Sequence, residues 1–396
     1  MPAHLRPADR FDLWQTIEAL RLGVVPRHRT QDYTVGRAKE MAKLESMLTE
    51  GRGLRLLWGE YGAGKTHLLD VVESTALRLG YATARAVLDP RDVPPSHPLR
   101  LYRALASGLR YPDEAAEGIG PLFHRLGESA VHLDPASERF SRFLSPALFA
   151  QHHAPSETAA LAREYVEGHP SDHEKLQRRL ERAKWTGPGL LATSDFRTYG
   201  RVYVHLIGSL SVWLRDAGWR GLVLLLDEVE YVDSLDSEHL RLATDVLKHF
   251  AAATLPREQL HFDAETDLYR GGQSVHKQLP LLFAPDQPLC AVMAFTPLAE
   301  IESMMASILA SDEPNVRISA LGAEAYHELV DRVTALYERT YPQRQFTPSE
   351  KRVLHDDGLK SLSGGFERPR AAIRDVVSVL DMLRCGIRRK APSETT

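Results

Sequence analysis

The sequence predicts an α/β fold: a parallel sheet that carries a phosphate-binding loop, with a large helical insertion and a C-terminal helical lid. Short apolar runs alternate with helical patterns, a glycine-rich loop joins the first run to a helix, and a later run ends in two acidic residues. Alternation of strands and helices is typical of a parallel, doubly wound sheet. The runs predicted as strands are 54–58, 82–88, 222–226, 289–295 and 316–319.

The glycine-rich loop lies within LLWGEYGAGKTHLLDVV and contains the complete pattern Gly59-x-x-x-x-Gly64-Lys65-Thr66. In this pattern glycines let backbone N–H groups turn toward the β- and γ-phosphates, the lysine neutralises their charge, and the hydroxyl binds Mg²⁺. A strand before the loop and a helix after it are the context that separates a phosphate site from a structural glycine turn. The residues predicted to bind ATP are Gly59, Glu60, Tyr61, Gly62, Ala63, Gly64, Lys65, Thr66 and His67.

A second apolar run ends in carboxylates, in GLVLLLDEVEYVD. Burial of unpaired charge is costly, so two acids at this point favour the carboxyl edge of a parallel sheet, where ligands bind. We assign Asp227 to Mg²⁺, together with Thr66, and Glu228 to the attacking water. The alternative is a strand that ends in solvated acids. Glu230 and Asp233 are interpreted as solvated or structural.

Two later polar positions are candidates for the same chemistry. Thr296 follows the apolar run LCAVMAF and is predicted to position the attacking water. Arg370 opens a late helix in GGFERPRAAIRDVV, next to Arg368, and is predicted to reach the γ-phosphate. Threonine is common at strand ends and arginine is mostly exposed, so a plain strand end and a surface arginine are the alternatives.

The spacing of the strands predicts the domain organisation. Residues 90–221 separate the second strand from the third, which is far more chain than a single crossover needs. Most of this stretch is therefore predicted to be a helical insertion, at about 95–195. The predicted domains are an N-terminal helical extension at 1–48, an ATPase core at 49–320, and a helical lid with a basic tail at 321–396.

Composition restricts the class of protein. The 396 residues include 49 Lys plus Arg and 53 Asp plus Glu, so contact with a nucleic acid requires a local patch. Cys290 and Cys385 form neither a disulfide framework nor a zinc site and fit a reducing compartment. No apolar run is long enough to span a membrane, and no signal-peptide core is visible. We expect a soluble, cytoplasmic protein.

The order of these parts resembles the AAA+ superfamily, in its origin-recognition and STAND-like branch. The combination of IEALRLGVVPRH, VGR, GEYGAGKTHLLD and LLLDEVE is most similar to the P-loop ATPases of BREX phage-defence operons, in particular the D-type component. The likeness covers about residues 11–90, 196–320 and 360–380. The resemblance implies Walker A at Gly59–Thr66, Walker B at Asp227 and Glu228, sensor one at Thr296 and sensor two at Arg370.

The chain departs from the AAA+ pattern at two places. The sensor-one position is often asparagine in that superfamily, whereas this chain has Thr296. The usual arginine finger lies near the end of the helix after sensor one, but the helix predicted at 299–310 contains no arginine, and Arg317 is the nearest substitute. These residues therefore do not predict activation by a neighbouring subunit.

A basic helix face is the candidate nucleic-acid contact. In KLQRRLERAKW, like charges spaced three and four residues apart destabilise a helix, so such a face favours phosphates, with a solvated helix as the alternative. The four residues on this face are Lys175, Arg178, Arg179 and Arg182. The tail carries a similar basic set, Arg384, Arg388, Arg389 and Lys390.

Together these features predict an Mg²⁺-dependent ATPase that couples ATP binding and hydrolysis to assembly or DNA transactions in phage defence. We expect a homo-oligomer, with double-stranded DNA and a helicase or nuclease as candidate partners. The alternative is a slow nucleotide-gated scaffold that recruits such a helicase or nuclease. A P-loop kinase fits less well, because the sequence shows no signature of an acceptor site and a kinase does not need both the polar-tipped strand and the arginine-bearing helix.

Overall fold

A computed structural model describes residues 7–24, 26, 29–268, 278–360 and 369–387. Its strands are β1 Gly53–Trp58, β2 Ala82–Val87, β3 Leu222–Asp227, β4 Leu289–Phe295 and β5 Asn315–Arg317. They form one parallel sheet in the order β2-β3-β4-β1-β5. Every residue of β1, β3 and β4 is buried, as expected for a parallel sheet that is covered on both faces. The predicted α/β class with a parallel sheet is confirmed. The predicted bounds of β4 are those observed, those of β1, β2 and β3 differ by one residue at one end, and β5 begins one residue earlier and ends two residues earlier than predicted.

The chain divides into two units. The first comprises the described parts of Met1–Ala42, Trp58–Val71 and Arg317–Thr396, and the second comprises those of Lys43–Leu57 and Val72–Val316. The sheet belongs to the second unit, except for the last residues of β1 and β5. The phosphate loop belongs to the first.

The long connection between β2 and β3 is helical, as predicted. Its last helix, Gly200–Asp216, is buried from Gly200 to Leu214 and forms a central core element of the second unit. The sequence pattern predicts helices of this connection at 98–110, 157–167, 172–185 and 197–217. Three further helices lie outside these ranges: Gly120–Leu126, Ala130–Leu133 and Leu144–His153. The other helices of the connection are Pro98–Ser107, Ser156–Val166 and His173–Arg182, and the later helices of the unit are Ser237–Thr254 and Ala299–Ile308.

Helices dominate the first unit. The N-terminal helix Pro7–Arg21 packs against the helices Ala323–Thr340 and Pro369–Arg384, and the Arg21 guanidinium makes two hydrogen bonds, of 2.8 and 3.0 Å, to the Asp381 carboxylate. The structure thus groups the N-terminal helix with the C-terminal helices, while the domain bounds drawn from the sequence stay a prediction. The remaining helices that include residues of this unit are Thr30–Tyr33, Ala38–Glu50, Lys65–Arg78 and Pro348–Lys360.

Two histidines of the second unit are buried and neutral. His205 donates from Nδ1 to the carbonyl of Pro280 at 2.9 Å, and His249 donates from Nδ1 to the carbonyl of Asp245 at 2.7 Å. Burial lowers the pKa of each imidazole from 6.5 to about 4. Both side chains therefore resist protonation until the solution is strongly acidic.

We expect the protein to lose stability as the pH falls from 7 to 5. Below pH 6.5 the unfolded chain takes up protons at His205 and His249, whereas the folded chain does not until about pH 4. This difference corresponds to about 2 kcal/mol for each histidine at pH 5. Urea denaturation at the two pH values measures it, and a variant with both histidines changed to glutamine should show a shallower pH dependence. Equal unfolding free energies of the wild type at pH 7 and pH 5 would contradict the expectation.

Candidate nucleotide-binding site

The phosphate loop begins where β1 ends, at Gly59. Gly62 and Gly64 have φ angles of +84° and +102°, which a residue with a side chain rarely adopts. A Cβ atom on Gly59 would lie only 2.9 Å from Cδ1 of Ile318 and 3.3 Å from Cβ of Ala63. Each of the three motif glycines is therefore required by the backbone conformation or by a close approach.

The lysine of the motif is buried and faces its own loop. Lys65 begins the helix Lys65–Arg78, and its side chain is 7% exposed. Its Nζ donates to the carbonyl of Gly59 at 2.9 Å. A cation and the amino end of a helix thus share one loop, an arrangement that favours an anion.

A buried arginine, Arg37, holds the backbone of this loop by a hydrogen bond. The sequence did not predict this role. Arg37 donates from Nη2 to the carbonyl of Ala63 at 3.1 Å and from Nη1 to the carbonyl of Ser319. Glu40 lies 3.4 Å from Arg37 and accepts from the backbone N–H and the hydroxyl of Ser319, each at 3.1 Å. The arginine of the VGR pattern therefore helps to hold the phosphate loop in place.

Gly36, the glycine of the VGR pattern, allows the turn of the backbone that precedes Arg37. Its φ is +63°, and an added Cβ would lie 2.9 Å from Cδ2 of Leu321. The backbone must therefore turn at this position for Arg37 to enter the interior.

The remaining predicted loop residues differ in exposure. Tyr61 is 74% exposed and Glu60 is exposed, so neither is held in place by packing. Nε2 of His67 lies 2.7 Å from the hydroxyl of Thr34, and the His67 ring stacks at a tilt on Tyr33 with centroids 4.9 Å apart. Burial and then the charge of Arg37 lower the pKa of His67 to about 4, so this imidazole is neutral at pH 7.

The predicted carboxylates lie at the end of β3, in the second unit. The Asp227 side chain is 3% exposed, and its Oδ2 accepts a 2.9 Å hydrogen bond from Nη2 of Arg85 on β2. Its Oδ1 accepts from the backbone N–H of Glu228 at 3.1 Å. The aspartate is therefore buried, paired with a cation and held at both oxygens.

Glu228 does not continue the strand. Its backbone is left-handed, with φ +58° and ψ +37°, and it precedes the 3₁₀ helix Val229–Ser234. The strand thus ends at Asp227, and the chain turns at Glu228. Left-handed backbone at a non-glycine residue costs energy and is concentrated at functional sites.

Thr296 follows β4 and meets a carboxylate that the sequence reasoning set aside. Its hydroxyl donates to Oε1 of Glu230, which lies on the 3₁₀ helix after Glu228. Glu230 is half-buried, which agrees with the structural role among the two interpretations given to it. Because β3 and β4 are neighbouring parallel strands, Asp227, Thr296 and Glu230 lie at one edge of the sheet.

The comparisons with known proteins concern the amino-terminal part of the chain. The model of the family described as "BREX system ATP-binding protein BrxC/D" matches residues 11–121. This region resembles the BREX ATP-binding family. The predicted resemblance is thereby confirmed. The comparison with curated proteins gave no match, and neither did the comparison with solved structures.

The BREX match includes the phosphate loop, Arg37 and Arg85, and it ends before Asp227. ATP binding is accordingly the part of the predicted function that this likeness supports most directly. In the described part of the chain, no helix is long and apolar enough to cross a membrane.

The residues present fit an Mg²⁺ ion that is bound together with a nucleotide. Within the described ranges, no group of three or more His, Cys, Asp or Glu side chains could hold a metal by itself. Mg²⁺ at phosphate sites uses one or two protein oxygens plus phosphates and waters. The Asp227 carboxylate, in the second unit, supplies such oxygens. Arg85 and the Glu228 N–H occupy one position on each carboxylate oxygen of Asp227 and leave lone pairs for a metal-bound water.

The lid arginine lies at the start of a helix in the first unit. Arg370 is the second residue of the helix Pro369–Arg384 and is exposed. Its stem runs past Gly23, where an added Cβ would lie 3.3 Å from Cγ of Arg370. Arg368, Arg388, Arg389 and Lys390 lie outside the described residues.

The structure contains the predicted helix with its basic face, and some of the basic side chains on that face are engaged in ion pairs. The helix His173–Arg182 buries Leu176 and Leu180 on its inner side. Two of the four basic side chains of its outer face make exposed ion pairs, Arg178 with Glu174 at 3.5 Å and Arg179 with Glu157 at 3.3 Å. Exposed pairs of this kind contribute little and are easily exchanged for a phosphate.

We expect charge reversal on this face to weaken any binding of double-stranded DNA. Changing Arg178, Arg179 and Arg182 to glutamate removes phosphate contacts, so affinity should fall and its dependence on salt should flatten. Fluorescence anisotropy at several salt concentrations measures both. The matched control reverses two basic residues elsewhere on the surface, Arg332 and Arg339. Unchanged affinity, or no binding by the wild type at low salt, would assign this helix to the solvated surface.

Proposed function

We propose that the chain is an Mg²⁺-dependent ATPase of a BREX phage-defence system, whose ATP cycle controls assembly or a transaction on double-stranded DNA. The observation that carries the proposal is the phosphate loop. It combines left-handed glycines with a buried lysine at a helix start, and it lies inside the region that matches the BREX ATP-binding family. Loops built in this way bind the phosphates of nucleotides.

ATP binding follows from the loop geometry. The backbone N–H groups between Gly62 and Thr66 point toward the β- and γ-phosphates, as in other phosphate loops. Lys65 exchanges its hydrogen bond with the Gly59 carbonyl for the phosphate oxygens. Arg37 keeps the loop backbone in place during this exchange, because it is bonded to Ala63.

The hydrolytic residues belong to the carboxyl edge of the sheet. Thr66 and Asp227 would hold Mg²⁺, which neutralises phosphate charge when bound. Glu228 polarises the attacking water, and Thr296 accepts a hydrogen bond from that water because its own proton is directed to Glu230. Arg370 contacts the γ-phosphate.

Multiple-turnover ATP hydrolysis by the purified chain tests this proposal. We expect turnover in Mg²⁺, none in EDTA, and loss of both Mg·ATP binding and turnover in Asp227→Asn. The same assay with and without double-stranded DNA shows whether the cycle responds to that partner. Absence of Mg²⁺-dependent ATP binding would overturn the assignment.

A nucleotide-gated scaffold is the second candidate function, and one observation favours it. The helix Ala299–Ile308, which follows Thr296, has the sequence AEIESMMASI and contains no arginine to enter a neighbouring active site. Such a protein would bind ATP, release it slowly, and recruit a helicase or nuclease only in the ATP-bound form. Tight ATP binding with less than one turnover per binding event would favour the scaffold.

A further inference from the structure

The ion pair between Arg85 and Asp227 has no role in the catalytic scheme above. Both partners lie in the second unit, and both are largely buried: the side chains are 14% and 3% exposed. The pair joins β2, the edge strand, to β3, which carries the proposed metal ligand. The Arg85 charge thus lies directly beside the proposed metal ligand.

The register of the sheet explains how the two residues meet. Val87 lies opposite Asp227, and Arg85 lies opposite Leu225, two residues closer to the start of the strands. The arginine side chain is long enough to run along the sheet and place Nη2 2.9 Å from Oδ2 of Asp227.

Burial makes this charge important in the absence of a metal. An ionised carboxylate that is 3% exposed is costly unless it is paired, and Arg85 supplies the pairing charge. A divalent ion that approaches Asp227 meets the same arginine, which repels it across a short, weakly screened distance. One side chain therefore stabilises the metal-free carboxylate and opposes entry of the metal.

We propose that Arg85 sets the Mg²⁺ affinity of the nucleotide site by serving as the counter-ion of Asp227 until the metal arrives. This inference rests on the proposed function, because it takes Asp227 to be the metal ligand. Arg85 is a positioning residue in this scheme and does not touch the nucleotide. The site then binds ATP together with Mg²⁺ only when the Mg²⁺ concentration is high enough to offset the repulsion by the Arg85 charge.

The test compares full-length wild type with Arg85→Gln and Arg85→Lys in binding a fluorescent ATP analogue. Mg²⁺ is titrated at constant analogue concentration and constant ionic strength, and the midpoint is the measured quantity. Arg85→Gln keeps a hydrogen-bond donor but loses the charge, so its midpoint should fall at least about tenfold. Arg85→Lys keeps the charge, so its midpoint should stay near that of the wild type.

Melting curves cover the case in which Arg85→Gln folds poorly. Mg²⁺ should then raise the melting temperature of this variant more than that of the wild type, because the ion replaces the lost counter-charge. An unchanged Mg²⁺ midpoint, or a low melting temperature that Mg²⁺ does not raise, would make the pair purely structural and overturn the inference. Wild-type binding that ignores Mg²⁺ would instead refute the proposed function.

Discussion

Lys65→Ala is expected to abolish ATP binding. Lys65 is the cation of the phosphate loop, and its Nζ already points at the loop interior, where it donates to the Gly59 carbonyl. Without it, the β- and γ-phosphates lose their charge-assisted hydrogen bonds within the loop. Isothermal titration with Mg·ATP measures the loss.

The control for this variant is Lys39→Ala, which removes an exposed lysine of the same unit and should bind as the wild type does. Circular dichroism and a melting curve show whether Lys65→Ala remains folded, since the wild-type side chain is buried. If a folded Lys65→Ala protein binds ATP as tightly as the wild type, the phosphate loop is not the nucleotide site.

Glu228→Gln should nearly stop turnover while leaving ATP affinity close to that of the wild type. The amide keeps the shape of the side chain but loses the charge that polarises the attacking water, which matters only on the way to the transition state. Loss of a general base costs about 10²- to 10⁴-fold in rate. Steady-state hydrolysis and equilibrium binding, measured on the same preparation, separate the two effects.

Two neighbouring glutamates make this prediction specific. Glu238→Gln changes an exposed residue on the helix that follows and should hydrolyse ATP normally. Glu230→Gln tests the carboxylate that accepts the hydrogen bond from Thr296. If Glu228→Gln turns over at a rate comparable to the wild type and Glu230→Gln does not, Glu230 activates the water.

The stalled Glu228→Gln protein is also the form in which self-association should be clearest. Its ATP-bound state accumulates, so any assembly that ATP strengthens reaches its limit. Light scattering with and without ATP reports the mass in solution. A monomer in every nucleotide state at micromolar concentration would contradict the proposed homo-oligomer.

The sequence predicted the strands and the phosphate loop well because both are local signals. An apolar run bounded by glycine or acid reads as a buried strand without knowledge of its neighbours. The short helices between Gly120 and His153 were missed because Gly, Pro and Ser interrupt their periodicity. The left-handed turn at Glu228 had no signal, since glutamate rarely adopts it.

The contacts of the candidate site were harder to predict than its residues. The bond between Arg85 and Asp227 joins strands 142 positions apart, and that between Thr296 and Glu230 spans 66. Spacing along the chain carries no information about such pairs until the strand order is known. The sequence alone did contain a signal for Arg85, because a charged residue inside an apolar strand needs a partner.

The brace beneath the phosphate loop has a consequence for biogenesis. Arg37 donates both to the Ala63 carbonyl of the loop and to the Ser319 carbonyl, and Ile318 lies against Gly59. A nascent chain that has emerged from the ribosome only to residue 316 carries the whole ATP motif without these supports. Closure of so long a loop is slow compared with local helix formation. The phosphate loop therefore gains these two supports only after residues 318 and 319 have been synthesised.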